Sequence, residues 1–357
     1  MIRKKLILIL TIIIYLKISF GYDVSALLVQ DTKSVSMGGL SYKVDSAVQK
    51  VYSVSSSNGN LFINNSPTNK NKIVLKAVDD FNNVNNKRYR GEIIIISDYV
   101  SLKVINKLNI ESYLQGVLPK EINYKWPMST LKAQAVAART FVYKKIQENH
   151  KDIFHLDSSY LSQVYGGVNA ERNRTNRAIK KTKNIVLTYN NKIIYSFYHS
   201  SSGGYTASSS EVWKNGSNLN YLKAKNDPFS RNTPYDKWSF KISKDRFERI
   251  LNLKRIENIK LSYTKSKRVK YIEIKARKKK IKMTGNDLRL KVGSRKVKST
   301  MFRLKSRNGY FIFSGKGWGH GVGMSQWGAY YMGKNGYSYK QILKFYYNNI
   351  KLSEVKV

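Results

Sequence analysis

The sequence predicts a mixed α+β protein, and three observations carry that reading. The first third alternates short β-type runs with turn clusters, the centre holds one long alanine-rich helical pattern, and the C-terminal end carries start signals for two further helices. With 357 residues, 41% of them hydrophobic and 12% aromatic, the chain can bury a substantial core and exceeds the usual single-domain size.

Taken in chain order, residues 22–90 read as a small β-rich segment, punctuated by turn clusters at 55–60, 64–67 and 82–86. Residues 92–97 and 100–105 read as a hairpin pair, after which the period shifts toward helix at 109–114. Pro127 with Ser129 or Thr130 opens a helix to about Asn149, whose Leu131, Ala135, Ala138, Val142 and Ile146 form one buried stripe. Two strands, 185–189 and 192–198, flank Asn190-Asn191, and a Ser/Gly-rich loop occupies 199–213. Residues 241–307 carry 25 Lys or Arg against 5 acidic residues on alternating, strand-like runs, a basic β-rich insert. Glycine then takes every second position from 315 to 323 around His320, a pattern that demands positive φ or the close approach of a ligand or another backbone. A short helix at 325–332 is closed by Gly333 or Gly336, and Ser338-Tyr339-Lys340-Gln341 is a capping box opening a last helix through Tyr347. No fixed-period repeat is present.

A formal charge of +43 points to polyanionic partners, although Lys, Asn and Ile are abundant throughout, as an AT-rich genome would also dictate. The N-terminus has the form of an export signal in residues 1–21: MIRKK, an apolar run from Leu6 to Leu16, and Ser19-Phe20-Gly21 before a cut at Tyr22. Left uncleaved, the same segment is a membrane anchor; either way the rest of the chain is extracytoplasmic. Export argues against a nucleic-acid partner. The absence of Cys excludes disulfides and thiolate metal sites.

Chemistry-bearing patterns are few. His150, Asp152, His155 and Asp157 have a loose metal-ligand spacing, but their ordinary reading is a solvated loop. Ser200–Gly204 lacks the elbow of a serine nucleophile, and the Gly-x-Gly run lacks the βαβ context of a nucleotide site. Glu121 stands among Leu118, Ile122, Tyr124 and Trp126, company that desolvates a carboxyl and lets it carry a proton as a general acid. It could equally serve a helix end or pair with Lys120 or Lys125, and the pattern alone leaves both open.

The ordered blocks NIESYLQGVLPKE (109–121), WPMSTLKAQAVAART (126–140), SQVYGG (162–167), 178–189, YHSSSGGYTASSSEVW (198–213), GKGWGHGVGMSQWGA (315–329) and YKQILKFYY (339–347) resemble the SpoIID/LytB family of bacterial cell-envelope proteins. The resemblance spans about 240 residues and leaves 22–90 outside, so it divides the chain into residues 1–21, 22–90 and a SpoIID/LytB domain at 91–357 containing the insert. It implies binding and remodelling of peptidoglycan glycan strands, in this family either by lytic transglycosylase action or by non-catalytic enhancement of a cell-wall amidase. Carried over, Glu121 is the catalytic acid/base, and no cofactor is implied. The family resemblance places a glycan cleft against the glycine run, with His320 pointing into it and Tyr198, His199, Ser200, Ser202, Gly203 and Gly204 as another wall. Gln134, Arg139, Gln163 and Tyr165, polar groups within apolar blocks, become substrate ligands or structural hydrogen-bonders, and Ser325 and Gln326 lie in the matched glycine block. Glu171 or Glu211 would be a second carboxylate. The zinc ligands some relatives carry near 150–163 are not matched, since every Cys is missing. The basic insert suits anionic wall polymer or an amidase.

Overall fold

The computed structural model describes residues 23–157, 163–213 and 218–355, so the segment expected to be an export signal or anchor lies outside the described residues. The fold is mixed α+β, as expected. Its N-terminal part is one sheet of nine strands, in the order Leu156–Asp157, Asp23–Thr32, Ser101–Asn109, Glu92–Asp98, Lys72–Ala77, Ser34–Val44, Ala47–Ser57, Asn60–Ile63 and Ser66–Pro67. Pairing is antiparallel except where Leu156–Asp157 joins Asp23–Thr32 in parallel. The hairpin lies where the sequence placed it, with Tyr99 at φ +57° turning Glu92–Asp98 into Ser101–Asn109. The sheet runs straight across residue 90, because the first strand, Asp23–Thr32, pairs with Ser101–Asn109. Residues 23–90 therefore share a core with the hairpin and the two helices after it rather than forming a separate unit, and Val24, Ile93, Leu114 and Val142 belong to one buried cluster.

Two helices carry that core toward the site. Asn109 caps the helix Ile110–Glu121, its side chain accepting from Glu111 N–H, and Pro127 precedes the long helix Met128–Glu148. Residues on the other side of the long helix, Ala133, Val136 and Ala137, enter a second core with Val322, Met324, Ile342 and Tyr346 from the C-terminal part. The strand Ile185–Tyr189 turns at Asn190 and Asn191, both at positive φ, and pairs on its other edge with Lys351–Glu354. Its partner is shorter than the sequence predicts, Lys192–Ile193 only, because the chain then leaves to form a parallel pair between Tyr198–His199 and Met324–Ser325.

The insert has a third core of its own, drawn from Trp238 to Phe313. Strand Trp238–Ser243 pairs with Tyr310–Gly315, which also pairs with Phe302–Arg307; a meander of Ile256–Tyr263, Val269–Ala276 and Lys279–Thr284 lies beside them. Closing the insert therefore takes strands that begin before residue 241 and end after 307. No helix among the described residues is long and apolar enough to cross a membrane.

Candidate active site

Glu121 is the last residue of its helix, where the partial negative charge of the helix end already disfavours a carboxylate. It opens onto a groove of about 610 Å³ whose walls include Phe141, Val164, Phe197, Tyr198, Trp213, Trp318 and His320. Loss of water in this apolar setting pushes the Glu121 carboxyl up, opposed by the bonds it accepts from Val164 N–H and the Tyr198 hydroxyl. The Val164 bond to Oε1 is 3.0 Å long. Gln163 Nε2 donates to the Tyr198 oxygen at 3.1 Å, so Gln163, Tyr198 and Glu121 form a relay that fixes the acid. Behind it, Gln326 Nε2 donates to the backbone carbonyl of Glu121 at 3.0 Å and pins the helix end.

Two neutral histidines face the acid. Burial and the nearby Arg289 and Arg268 guanidinium groups bring His320 down to about 3, and burial, with His320 next, holds His199 well below its usual range. Val322 links them: its N–H donates to His320 Nδ1 at 3.1 Å, and its carbonyl lies 3.1 Å from His199 Nδ1. With Nδ1 donating there, His199 Nε2 keeps a lone pair that has no partner in the fold.

The glycine run answers to another backbone. Gly317, Gly319, Gly321 and Gly323 stand at φ +75°, +107°, +88° and +72°. A Cβ on Gly317 would lie 2.7 Å from Ser201 O, on Gly319 2.8 Å from His199 Cβ, and on Gly323 2.0 Å from Phe197 O. The run thus interlocks with residues 197–204, and Ser201 and Trp318 exchange backbone hydrogen bonds of 3.0 and 2.8 Å. Gly321 faces the Arg268 guanidinium, 2.4 Å from where its Cβ would be. The expected glycan contact along the bare backbone is corrected accordingly: the intervening side chains Trp318 and His320, with Gly319 between them, line the groove.

Of the other residues expected at the site, Ser200 lines the groove with Tyr198, His199 and Gln326. Arg139 does not; it is wholly buried, bound bidentately to Glu111 at 2.7 Å through Nε and Nη2 and to the carbonyls of Ile179 and Ile185. Tyr165 points into the core, its hydroxyl donating to Asn106 Oδ1 at 3.0 Å. Gln134 is sealed behind Gln326, 3.4 Å from its amide. Ser202 donates to buried Asp227 at 2.8 Å, and Ser325 caps the helix Gln326–Lys334. Gly203 packs on Gly317, and Gly204 stands at φ +98° beside Arg231. Neither expected second carboxylate reaches the groove: Glu171 grips Arg90 at 2.9 Å, and Glu211 closes a capping box. Among the described residues, Glu121 is the one acidic residue that lines the groove. His155 accepts from Ser25 N–H at 3.1 Å, and among the described residues no His, Cys, Asp or Glu group of three is placed to hold a metal.

Sequence reasoning missed the fourth wall. Asn286, Arg289, Leu290 and Ser294 come from the insert, on and just after its helix Gly285–Val292, and line the groove together with Phe141 and Lys145 of the long helix. A larger cleft of about 1030 Å³ on the insert, ringed by Lys237, Lys267, Arg303, Lys305 and Lys316, has no acidic lining residue and so offers no proton donor of this kind.

The groove thus sets one desolvated, oriented carboxyl among aromatic rings and two histidines whose protonation burial disfavours. The chain matches the SpoIID family model, described as stage II sporulation protein, over residues 98–189, and a domain of unknown function, DUF8618, over 235–323. It is 34% identical to an uncharacterized protein of Brachyspira hyodysenteriae over 79% of this chain and 77% of that one. It is 30% identical to a stage II sporulation protein D of Bacillus amyloliquefaciens, over 70% of this chain and 76% of the other. A Bacillus subtilis protein named amidase enhancer is 33% identical over 67% of this chain but only 40% of its own length. The protein belongs to the SpoIID/LytB family. The unknown-function domain coincides with the insert and the glycine run, the two parts that bring Arg289, Trp318 and His320 to the groove.

Proposed function

We propose that this is an exported lytic transglycosylase that cuts the bond between N-acetylmuramic acid and N-acetylglucosamine in peptide-free glycan strands. One observation carries the reading: a carboxyl, raised by desolvation and held by Val164 N–H and Tyr198, stands at the wall of a groove with no second acid among the described lining residues. Glycosidases that use water or an enzyme nucleophile need two carboxylates. An intramolecular hydroxyl needs only one. Protonated Glu121 gives its proton to the glycosidic oxygen, the anomeric C–O bond breaks, and the sugar's own 6-hydroxyl bonds to the anomeric carbon. That hydroxyl's proton passes to the Glu121 carboxylate, which restores the acid and leaves a 1,6-anhydro end. The apolar wall of Phe197, Trp213 and Trp318 suits the faces of the rings.

Glu121→Gln keeps the shape and removes the proton, so release of anhydro-muramic ends from peptide-free glycan, read by mass spectrometry, should fall at least about 100-fold while glycan binding persists. Undiminished release would sink the assignment. A second reading, a wall-bound enhancer of an amidase, is favoured by the relative of that name and by the insert's exposed Lys278, Lys279 and Lys280, which suit anionic wall polymer. Under that reading, amidase stimulation would survive Glu121→Gln and no anhydro product would form with either protein.

A further inference from the structure

We propose that the groove continues outward as an aromatic track that holds further sugar rings of the same glycan strand; this rests on the glycan reading above. Trp318, at the groove wall, meets the Tyr235 ring at 4.7 Å, and Tyr235 meets Trp327 at 6.4 Å. Trp327 in turn contacts Trp126 at 4.8 Å and Tyr330 at 5.4 Å, and Tyr330 lies 4.9 Å from Trp126 and 5.0 Å from Tyr331. All six rings are only partly buried. They come from four segments: the entry to the long helix, the loop before strand Trp238–Ser243, the glycine run, and the helix Gln326–Lys334. Continuity with the groove is direct, since Trp327 N–H donates to the carbonyl of Ser200, a groove-lining residue, at 3.0 Å.

Rings left partly open to water in one connected strip mark a binding surface rather than scattered surface apolarity. Their chemistry selects a saccharide. A pyranose presents a C–H face that packs flat on an aromatic ring and an equator of hydroxyls, and this strip offers indole and phenol faces edged by tyrosine hydroxyls. Its cations include Lys298, whose Nζ stands 5.3 Å from both the Tyr235 and Trp318 rings, and Arg174, whose guanidinium donates to the Trp126 carbonyl at 3.0 Å. Asp236, next to Tyr235, is paired with Lys316 at 3.5 Å, so a polymer with a neutral backbone and occasional carboxylates can lie along the strip beside Lys298 and Arg174. The track would give the enzyme grip on long strands without changing the chemistry at Glu121.

The test uses the full chain carrying Glu121→Gln, so that ligand is not cut, titrated with chito-oligosaccharides of increasing length and followed by tryptophan fluorescence. Affinity should climb with length once the groove is filled. Trp126→Ala and Tyr330→Ala should each lower affinity for the longest oligosaccharide about tenfold, the equivalent of about 1.4 kcal/mol, and leave the shortest unchanged. Trp126→Tyr, which keeps a stacking face, should recover most of the loss, and melting curves should show all variants folded. Equal affinity of parent and alanine variants for the longest ligand, or no gain with length in the parent, would overturn the track while leaving the groove's function standing. Failure of the parent to bind any length would instead remove the glycan reading, and the track with it.

Discussion

Arg139 and Arg268 are both buried, at 0% and 1% exposure, yet they solve the burial of a cation in opposite ways. Arg139 has a carboxylate partner, Glu111, and three further acceptors, so its charge is neutralised and its nitrogens are occupied. Arg268 has only the carbonyls of Ser202 and Tyr205 on one nitrogen, at 2.8 and 3.1 Å, with Nε and Nη1 unpaired. Desolvation lowers it to about 10. The first arginine ties the capped end of the Glu121 helix to the long helix and to residues 179–185. The second props the glycine run from behind, against Gly321. Incomplete bonding also marks His199 Nε2 and Gln163 Oε1, beside the groove. Of the two arginines, the one that ties helices together is saturated, and the one behind the glycine run retains unspent valence.

The largest effect should come from breaking the saturated site. Arg139→Met leaves Glu111 without its cation and the Ile179 and Ile185 carbonyls without a donor, and should cost about 3–5 kcal/mol in chemical denaturation. Arg268→Met removes a cation whose desolvation is poorly repaid, and should change stability by no more than about 1 kcal/mol. Equal losses would erase the distinction.

The glycines sharpen it further. Gly323→Ala puts a methyl 2.0 Å from the Phe197 carbonyl at a positive φ, where only backbone could yield, and should cost about 2–4 kcal/mol. Gly321→Ala meets the guanidinium of Arg268, so its cost should be lower, about 1–2 kcal/mol, and should shrink in the Arg268→Met background. Additive losses in that double variant would show that the arginine does not set the glycine requirement.

These contrasts also explain what the sequence discloses. The long helix was legible because Leu131 through Ile146 repeat at helical spacing, and the hairpins because turn residues flank alternating runs. Glu121 could be singled out by its apolar neighbours, but only the family resemblance chose between acid and helix end. Arg139 could not be classified, since a polar residue in an apolar stripe serves an ion pair as readily as a ligand; its partner lies 28 positions upstream. Positive φ was predictable along the glycine run, whereas the identity of the approaching group, the chain's own residues 197–204, depends on tertiary pairing. Arg289 was hidden for a different reason: in an insert with 25 Lys or Arg, nothing local distinguishes the one that reaches the groove from those in solvent.

The smallest effect concerns the acid itself and tests the comparison from the anionic side. Because burial raises the folded-state pKa of Glu121 above its ordinary value of 4.5, the native state binds its proton more tightly than the unfolded chain does. That preference supports the fold fully at pH below 4.5 and is lost as pH climbs through the interval up to the raised folded value. Above that interval the carboxylate is charged in a place that disfavours charge. Glu121→Gln removes the titration and keeps an acceptor for Val164 N–H, so the variant should melt slightly above the parent at neutral pH. The gap should narrow progressively as pH falls into the ordinary glutamate range. Glu111→Gln should behave in the opposite sense, lowering the melting temperature at neutral pH, because it strips Arg139 of its counter-charge. A Glu121→Gln variant less stable than the parent at neutral pH would mean that the carboxylate is held by the fold as firmly as Glu111 is, and would place it with the saturated, structural groups.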